Sequence, residues 1–128
     1  MKRQNMALVP TLKLLGEGDD RQAIRNEVRD YARLGGEILF GTDVGYLSDD
    51  DPLREYQLME AAGLTWRQIL ASLTTNPAGR FDGSRRRGRV ERGMDGDLVV
   101  LAGDPSLSVR AFANVHYTIR AGRIVYER

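Results

Sequence analysis

Asp43 is the residue whose type and placement point most directly to chemistry. It follows the stretch Glu37-Ile38-Leu39-Phe40-Gly41-Thr42 and leads into a polar loop containing Gly45, Tyr46 and Ser48. Ile38, Leu39 and Phe40 run without alternation, which suits a strand covered on both faces of a parallel sheet. A carboxylate just past the C-terminal end of such a strand stands where α/β folds assemble their active sites. The same placement also suits a turn former or a helix N-cap, so the pattern by itself leaves both roles open. Other reactive types are scarce. The absence of cysteine removes disulfides, thiolate nucleophiles and thiolate metal ligands. The chain has one histidine, His116, so a zinc site made from this chain alone would combine one imidazole with carboxylates, where such sites commonly take two or three histidines.

The elements that must position Asp43 are legible on either side of it. Residues 6–12 read as a short buried strand ended by Pro10, and residues 13–18 as a connecting loop. A helix follows, with Asp19 or Asp20 as N-cap, an apolar stripe at Ile24, Val28, Tyr31, Ala32 and Leu34, and a stop at Gly35-Gly36. Strand, helix and strand with short links make a βαβ unit, so the two strands are expected to be parallel. Beyond the Asp43 loop, Asp51-Pro52 opens a helix through Leu53, Tyr56, Leu58, Met59 and Ala62 to Gly63. Thr65 and Gln68 have the spacing of a capping box for a second helix, with Ile69, Leu70 and Leu73 on its inner side. Asn76-Pro77 repeats the cap-plus-proline signature for a short third turn.

The composition shifts near residue 80. Residues 82–96 are rich in glycine and arginine (Arg85, Arg86, Arg87, Arg89, Arg92), but Asp82, Glu91, Asp95 and Asp97 offset most of that charge and no aromatic residue is interleaved for base stacking. β signals follow at residues 97–101 and 109–115, with a turn at Gly103-Asp104-Pro105 between them. The end reads as a hairpin turning at Ala121-Gly122. A two-residue turn would set Ile119 opposite Ile124 and Tyr117 opposite Tyr126, with His116 a plain strand residue. Roughly four strands are expected here, and two parallel strands with a few helices before them. Neither part closes its own sheet edges, so the chain reads as incomplete. The overall composition, 128 residues with 41% hydrophobic, 29% charged and a net charge of +1, is that of an ordinary soluble domain. That balance asks for neither nucleic acid nor an anionic membrane, and no apolar run reaches the ~20 residues of a membrane span. The expected location is cytoplasmic.

Taken in order, Pro10-Thr11-Leu12, Gly41-Thr42-Asp43, Ala62-Gly63-Leu64-Thr65 and Thr74-Thr75-Asn76-Pro77-Ala78 resemble the C-terminal end of the amidohydrolase superfamily. The branch they are most similar to is the imidazolonepropionase-like and prolidase-like one. The tail agrees, in Gly88-Arg89-Val90-Glu91-Arg92-Gly93-Met94-Asp95-Gly96-Asp97-Leu98-Val99-Val100-Leu101, Gly103-Asp104-Pro105 and Gly122-Arg123-Ile124-Val125. The resemblance implies an α/β fold: the last two strands and helices of a metal-dependent hydrolase (β/α)₈ barrel in residues 1–80, followed by part of a small β-sandwich in residues 81–128. The two barrel strands would be residues 7–12 and 37–41. It assigns Asp43 as metal ligand and proton shuttle in the hydrolysis of a carbon–nitrogen bond. Thr42, Val44, Gly45 and Tyr46 would then line the substrate rim.

The resemblance also implies a divalent metal, zinc first, and a small amide or dipeptide-like substrate in the complete enzyme. The family's His-x-His pair, its middle-strand lysine or glutamate and its two later histidines are absent from this sequence. The expectation is therefore an enzyme fragment, inactive by itself, that depends on a missing N-terminal portion. The competing expectation is a non-catalytic remnant or assembly module that pairs through open sheet edges with itself or a partner. An arginine-rich binder of anions or RNA is the weakest of the three.

Overall fold

In the computed structural model, which describes residues 6–15, 18–81 and 86–128, the chain forms a mixed α/β fold with two small sheets. The strands β1 (Ala7–Leu8) and β2 (Glu37–Ile38) pair in parallel, Ala7 opposite Glu37 and Leu8 opposite Ile38. Leu39 N–H extends the pairing by donating to Leu8 O at 2.9 Å. The parallel pairing expected from the uninterrupted apolar run is present, and Ile38 and Leu39 are buried. β1 stops at Leu8, short of the Leu12 expected, and residues 12–15 form one helical turn, α1 (Leu12–Leu15), across the expected strand end and the start of the expected loop. It buries Leu12 completely, and that burial favours winding the segment inward over leaving it extended.

Helix α2 (Arg21–Arg33) links the two strands and buries Val28. Asp20 precedes it, but its side chain makes no capping hydrogen bond, contrary to the expected N-cap role. Gly35, at φ +72°, provides the left-handed exit that a side chain would disfavour. Tyr31 Oη donates to Met6 O at 2.5 Å, tying the helix to the start of β1.

Helix α3 (Leu53–Ala61) has Pro52 at its N-cap position, one residue later than expected, with no side-chain cap; Asp51 Oδ1 accepts from Leu53 N–H at 2.9 Å just before the helix. The Thr65–Gln68 capping box at the head of α4 (Trp66–Leu73) is complete. Gln68 N–H donates to Thr65 Oγ1 at 3.3 Å, and Thr65 N–H donates to Gln68 Oε1 at 2.8 Å. Helix α5 (Thr75–Phe81) departs from expectation, since Asn76 lies within it rather than capping it. The Asn76 amide is used across the fold instead, donating from Nδ2 to Ile38 O at 2.8 Å. Pro77 sits in the first turn, where its missing N–H costs nothing.

The second sheet is antiparallel in the order β3 (Leu98–Leu101), β4 (Val115–Arg120), β5 (Arg123–Glu127). Its described strands number three, against roughly four expected. Residues 109–113 form a 3₁₀ helix, not a strand. Val109, Ala111 and Ala113 mimic strand alternation, but Val109, Ala111 and Phe112 are all buried, which one face of a strand could not achieve. The hairpin does turn at Ala121-Gly122, with φ +50° and +76°, and Ile119 faces Ile124. An irregularity between Thr118 and Ile119 then shifts the register, so Tyr117 faces Glu127 and Tyr126 faces Thr118. The expected Tyr117–Tyr126 pair is thereby lost.

One apolar cluster joins Leu12, Val28, Ile38, Tyr56, Met59, Ile69 and Phe112. Phe40 stacks on Tyr56 at 4.8 Å between ring centroids, and Tyr56 in turn meets Phe112 at 5.5 Å. Among the described residues no helix is long and apolar enough to cross a membrane.

Candidate functional site at the parallel strand exits

Because β1 and β2 are parallel, both leave the sheet at the same edge. Asp43 lies at the exit of β2, exposed, with its backbone in the left-handed region at φ +57°. Its carbonyl accepts from Tyr46 N–H at 3.1 Å and Leu47 N–H at 3.2 Å, which folds residues 43–47 into a tight turn. Thr42 is half-buried just before it, while Val44, Gly45 and Tyr46 are exposed along the turn, Tyr46 at 77%. Gly45 has φ +108°. Asp43 and these four neighbours thus occupy one continuous segment at the edge.

The exit of β1 is strained in the same way. Thr11, a β-branched residue, has φ +46°, and its carbonyl accepts from Leu14 and Leu15 N–H, both at 3.1 Å. Thr11 and Asp43 are two of three non-glycine residues with positive φ among those described, the third being Ala121 in the hairpin turn. A β-branched residue in that region costs of order 1–3 kcal/mol and persists only where the surroundings over-determine it. Strain at Thr11, beside the left-handed turn at Asp43, marks this edge as the place to look for function.

Side chains from distant parts of the chain hold the edge by its backbone. Glu55, fully buried on α3, accepts from Leu12 N–H (Oε1, 2.9 Å) and from Lys13 N–H (Oε2, 2.6 Å). Burial pushes its carboxyl up from the ordinary value of 4.5, and the two backbone donors partly oppose that shift. Lys13 has a side chain only 9% exposed. Its Nζ donates to Asp49 O and Asp51 O, both at 2.9 Å, and pairs with Asp49 Oδ2 at 2.8 Å. The Lys13 hydrogen bond is the main cause holding the Asp49 carboxyl below 3.8, followed by the Asp51 N–H.

On β2, Ile38 O accepts from Asn76, Phe40 N–H donates to Ser72 O at 3.2 Å, and Glu37 pairs with Arg80 at 2.5 Å. Gly41 sits at a close approach, where a Cβ would lie 2.5 Å from Val9 Cγ1 and would make that side chain shift. Burial, with Asp51 adding to it, pushes the Tyr56 hydroxyl up to about 12, and the ring packs between Phe40 and Phe112.

The expected site residues Thr42, Asp43, Gly45 and Tyr46 are therefore brought together, and His116 is not among them. It lies on β4, its ring 4.1 Å from that of Tyr117. Among the described residues no three or more histidine, cysteine, aspartate or glutamate side chains are grouped to hold a metal ion.

Sequence reasoning missed Thr11, Lys13, Glu55 and Asn76. Glu55 carried a signal: it shares the apolar face of α3 with Leu58, Met59 and Ala62, at offsets of three, four and seven. Lys13 carried none. In the arginine-rich stretch, Asp95 accepts from both Arg86 and Arg87, Asp97 pairs with Arg87, and Glu91 with Arg89, so the charges are locally matched. Arg85 and Asp82 lie outside the described residues.

A family profile described as "Amidohydrolase family" matches residues 18–126. The amidohydrolase tasK of Hapsidospora irregularis is 38% identical over 66 residues, which are 47% of this chain and 7% of that protein. A Xaa-Pro dipeptidase crystallised with methionine in its active site superimposes with a TM-score of 0.84, covering 100% of this chain and 36% of that one. At 22% identity that likeness shows the fold alone. A putative prolidase from Bifidobacterium longum gives a TM-score of 0.75 at 25% identity, over 94% of this chain and 35% of that one. The chain spans about a third of the length of these two structures.

Proposed function

This chain belongs to the amidohydrolase family, and from that premise we propose that it is the C-terminal part of a metal-dependent hydrolase acting on a carbon–nitrogen bond of a cyclic amide or dipeptide-like substrate. Residues 1–80 contribute the last two strands and helices of a (β/α)₈ barrel, and residues 81–128 contribute part of a β-sandwich. The observation that carries this reading is the exposed Asp43 held in a left-handed turn at the exit of a parallel strand, next to the Thr11 exit, which also has positive φ. A divalent metal, zinc first, would be held in part by Asp43 and would supply Lewis acidity toward water and a carbonyl group.

In this reading Asp43 also takes up a proton and delivers it to the departing nitrogen, a role in which such groups contribute about 10²–10⁴-fold. Thr42, Gly45 and Tyr46 form the rim against which a small amide or dipeptide-like substrate rests. The likeness to the putative prolidase from Bifidobacterium longum supports that substrate class. One aspartate does not retain a metal in water, so the chain by itself is inactive and works, in the cytoplasm, with an N-terminal portion that brings imidazole ligands.

The test is complementation. The 128-residue chain is mixed with the N-terminal part of a prolidase-like amidohydrolase and zinc, and dipeptide hydrolysis is assayed. Activity absent from either part should appear in the mixture, and Asp43→Asn should lower it by at least about 10²-fold. Equal activity with aspartate and asparagine at position 43 would remove Asp43 from the mechanism.

The second reading, a non-catalytic assembly module, is favoured by β5, which is exposed along its whole length at the edge of its sheet. Sedimentation of the isolated chain separates the two: this reading needs a concentration-dependent oligomer, and a clean monomer rejects it.

A further inference from the structure

We propose that Lys13 is a positioning residue whose ammonium fastens the loop carrying Asp43 to the neighbouring strand exit, fixing the geometry of that loop before any ligand arrives. The inference deepens the reading of Asp43 as the working carboxylate and rests on it for its purpose. Its structural content stands on separate observations.

An ammonium has three N–H donors and no acceptor. Here it meets three oxygens, Asp49 O, Asp51 O and Asp49 Oδ2, all within 2.9 Å and all in the loop that follows Asp43. The loop's own bonds continue from there. Asp49 Oδ1 accepts from Asp51 N–H, and Asp51 Oδ1 accepts from Leu53 N–H, so the far end of the loop is locked to the head of α3. At its near end, the Asp43 carbonyl holds the turn to Leu47, one residue short of Ser48.

The loop thus has two fixed ends, and its fastening to the β1 exit runs through Lys13. Lys13 is itself anchored by its backbone N–H on the buried carboxylate of Glu55. The contacts run from Glu55 to Lys13 and on to Asp49 and Asp51, which connect with the Asp43 turn along the backbone through Ser48. With a side chain only 9% exposed, the lysine has traded most of its hydration for these contacts. Asp49 itself is exposed, so what sets the clamp apart from a surface ion pair, which contributes little, is the pair of backbone carbonyls that Lys13 also holds.

The chain's lack of cysteine makes a clean test available. Lys13→Cys is alkylated while unfolded, either with 2-bromoethylamine, which restores a side chain of lysine's length and charge, or with 1-bromopropane, which restores the length without the charge. Each product is refolded. Amide hydrogen exchange is followed at Tyr46 and Leu47, whose N–H groups bond to the Asp43 carbonyl, with the amides of α2 as the measure of global stability. The propyl form should exchange about tenfold faster at Tyr46 and Leu47 than wild type, beyond any change in α2, and the aminoethyl form should return to wild-type rates. The Asp49 carboxyl, followed by NMR titration, should rise toward 3.8 in the propyl form and fall again in the aminoethyl form.

Equal loop exchange in the two forms, or loop exchange that rises only in step with α2, overturns the proposal. Should the cysteine products fail to refold, Asp49→Asn at a largely exposed position removes one arm of the clamp and should speed loop exchange severalfold. No change there overturns the proposal equally. Asp43→Asn keeps the carbonyl that holds the turn, so it should leave loop exchange unaltered while abolishing complemented hydrolysis. The loop claim and the catalytic claim therefore fail separately.

Discussion

Replacing Glu55 with glutamine should destabilise the chain by about 2 kcal/mol at pH 7, although the change removes a buried charge. The carboxylate uses both oxygens, one for Leu12 N–H and one for Lys13 N–H. Glutamine offers one oxygen and one amino group, so one of those backbone donors must face another donor. Leu12 is completely buried, and water cannot take the lost place. A hydrogen bond to a charged acceptor is worth about 1.5–3 kcal/mol, and stranding its donor adds to the loss. Burying a neutral amide in place of an ion recovers part of it. Urea unfolding with a slope of about 1–2 kcal/mol/M should therefore show the midpoint falling by roughly 1–2 M.

The pH dependence of the difference carries its own sign. Because burial raises the folded-state value of Glu55 above 4.5, the folded form binds more protons in that window. The stability this group contributes is full below 4.5 and is lost as pH rises through the raised value. The advantage of wild type over glutamine should accordingly shrink between acid and neutral pH without vanishing. A variant within 0.5 kcal/mol of wild type at pH 7 would show that the two N–H groups do not depend on Glu55. An advantage that grows with pH would show that the backbone donors outweigh burial.

Two further substitutions probe the edge and the hairpin. Gly41→Ala should cost about 1–3 kcal/mol in thermal or urea unfolding, since its Cβ would lie 2.5 Å from Val9 Cγ1, and Val9→Ala in the same chain should recover most of that loss. Ala121→Asn should raise stability by roughly 0.5–1 kcal/mol and lift the melting temperature, because Ala121 holds φ +50° next to Gly122 in a hairpin turn that favours Asn-Gly. A drop in melting temperature would show that the turn changes geometry to accept asparagine.

What the sequence disclosed was mostly local. The Thr65–Gln68 box, the Gly35 stop and the Ala121-Gly122 turn are each set by residues within a few positions of one another. The parallel pairing was readable because a strand covered on both faces must be apolar at consecutive positions, as Ile38 and Leu39 are. The Tyr117–Tyr126 pair failed because nothing within four residues announces the register shift at Thr118. Residues 109–113 failed because a 3₁₀ helix and a strand can carry the same short apolar alternation. Asp43 was legible as a strand-exit carboxylate, but the residues holding its loop were not. They act over separations of 36 to 43 positions, Lys13 on Asp49 and Asp51, Glu55 on Leu12 and Lys13, Asn76 on Ile38. No periodicity reports such bonds.

That long reach explains how the edge can be both strained and usable. Thr11 and Asp43 hold left-handed conformations that local preference resists, so something beyond the local chain must fix them. The fixing groups grip mainly backbone: Glu55 takes two amide N–H groups, Lys13 two carbonyls, and Asn76 one carbonyl. An edge held by its backbone leaves its outward side chains available, and here those are the Asp43 carboxylate and the Tyr46 ring, both exposed. Had the loop been held through the Asp43 carboxylate, the same rigidity would have consumed the group that the proposed chemistry needs. The division of labour makes a separable expectation: substitutions at Lys13, Glu55 or Asn76 should loosen the loop whether or not a metal is present, whereas substitution at Asp43 should change chemistry and leave the loop as it is.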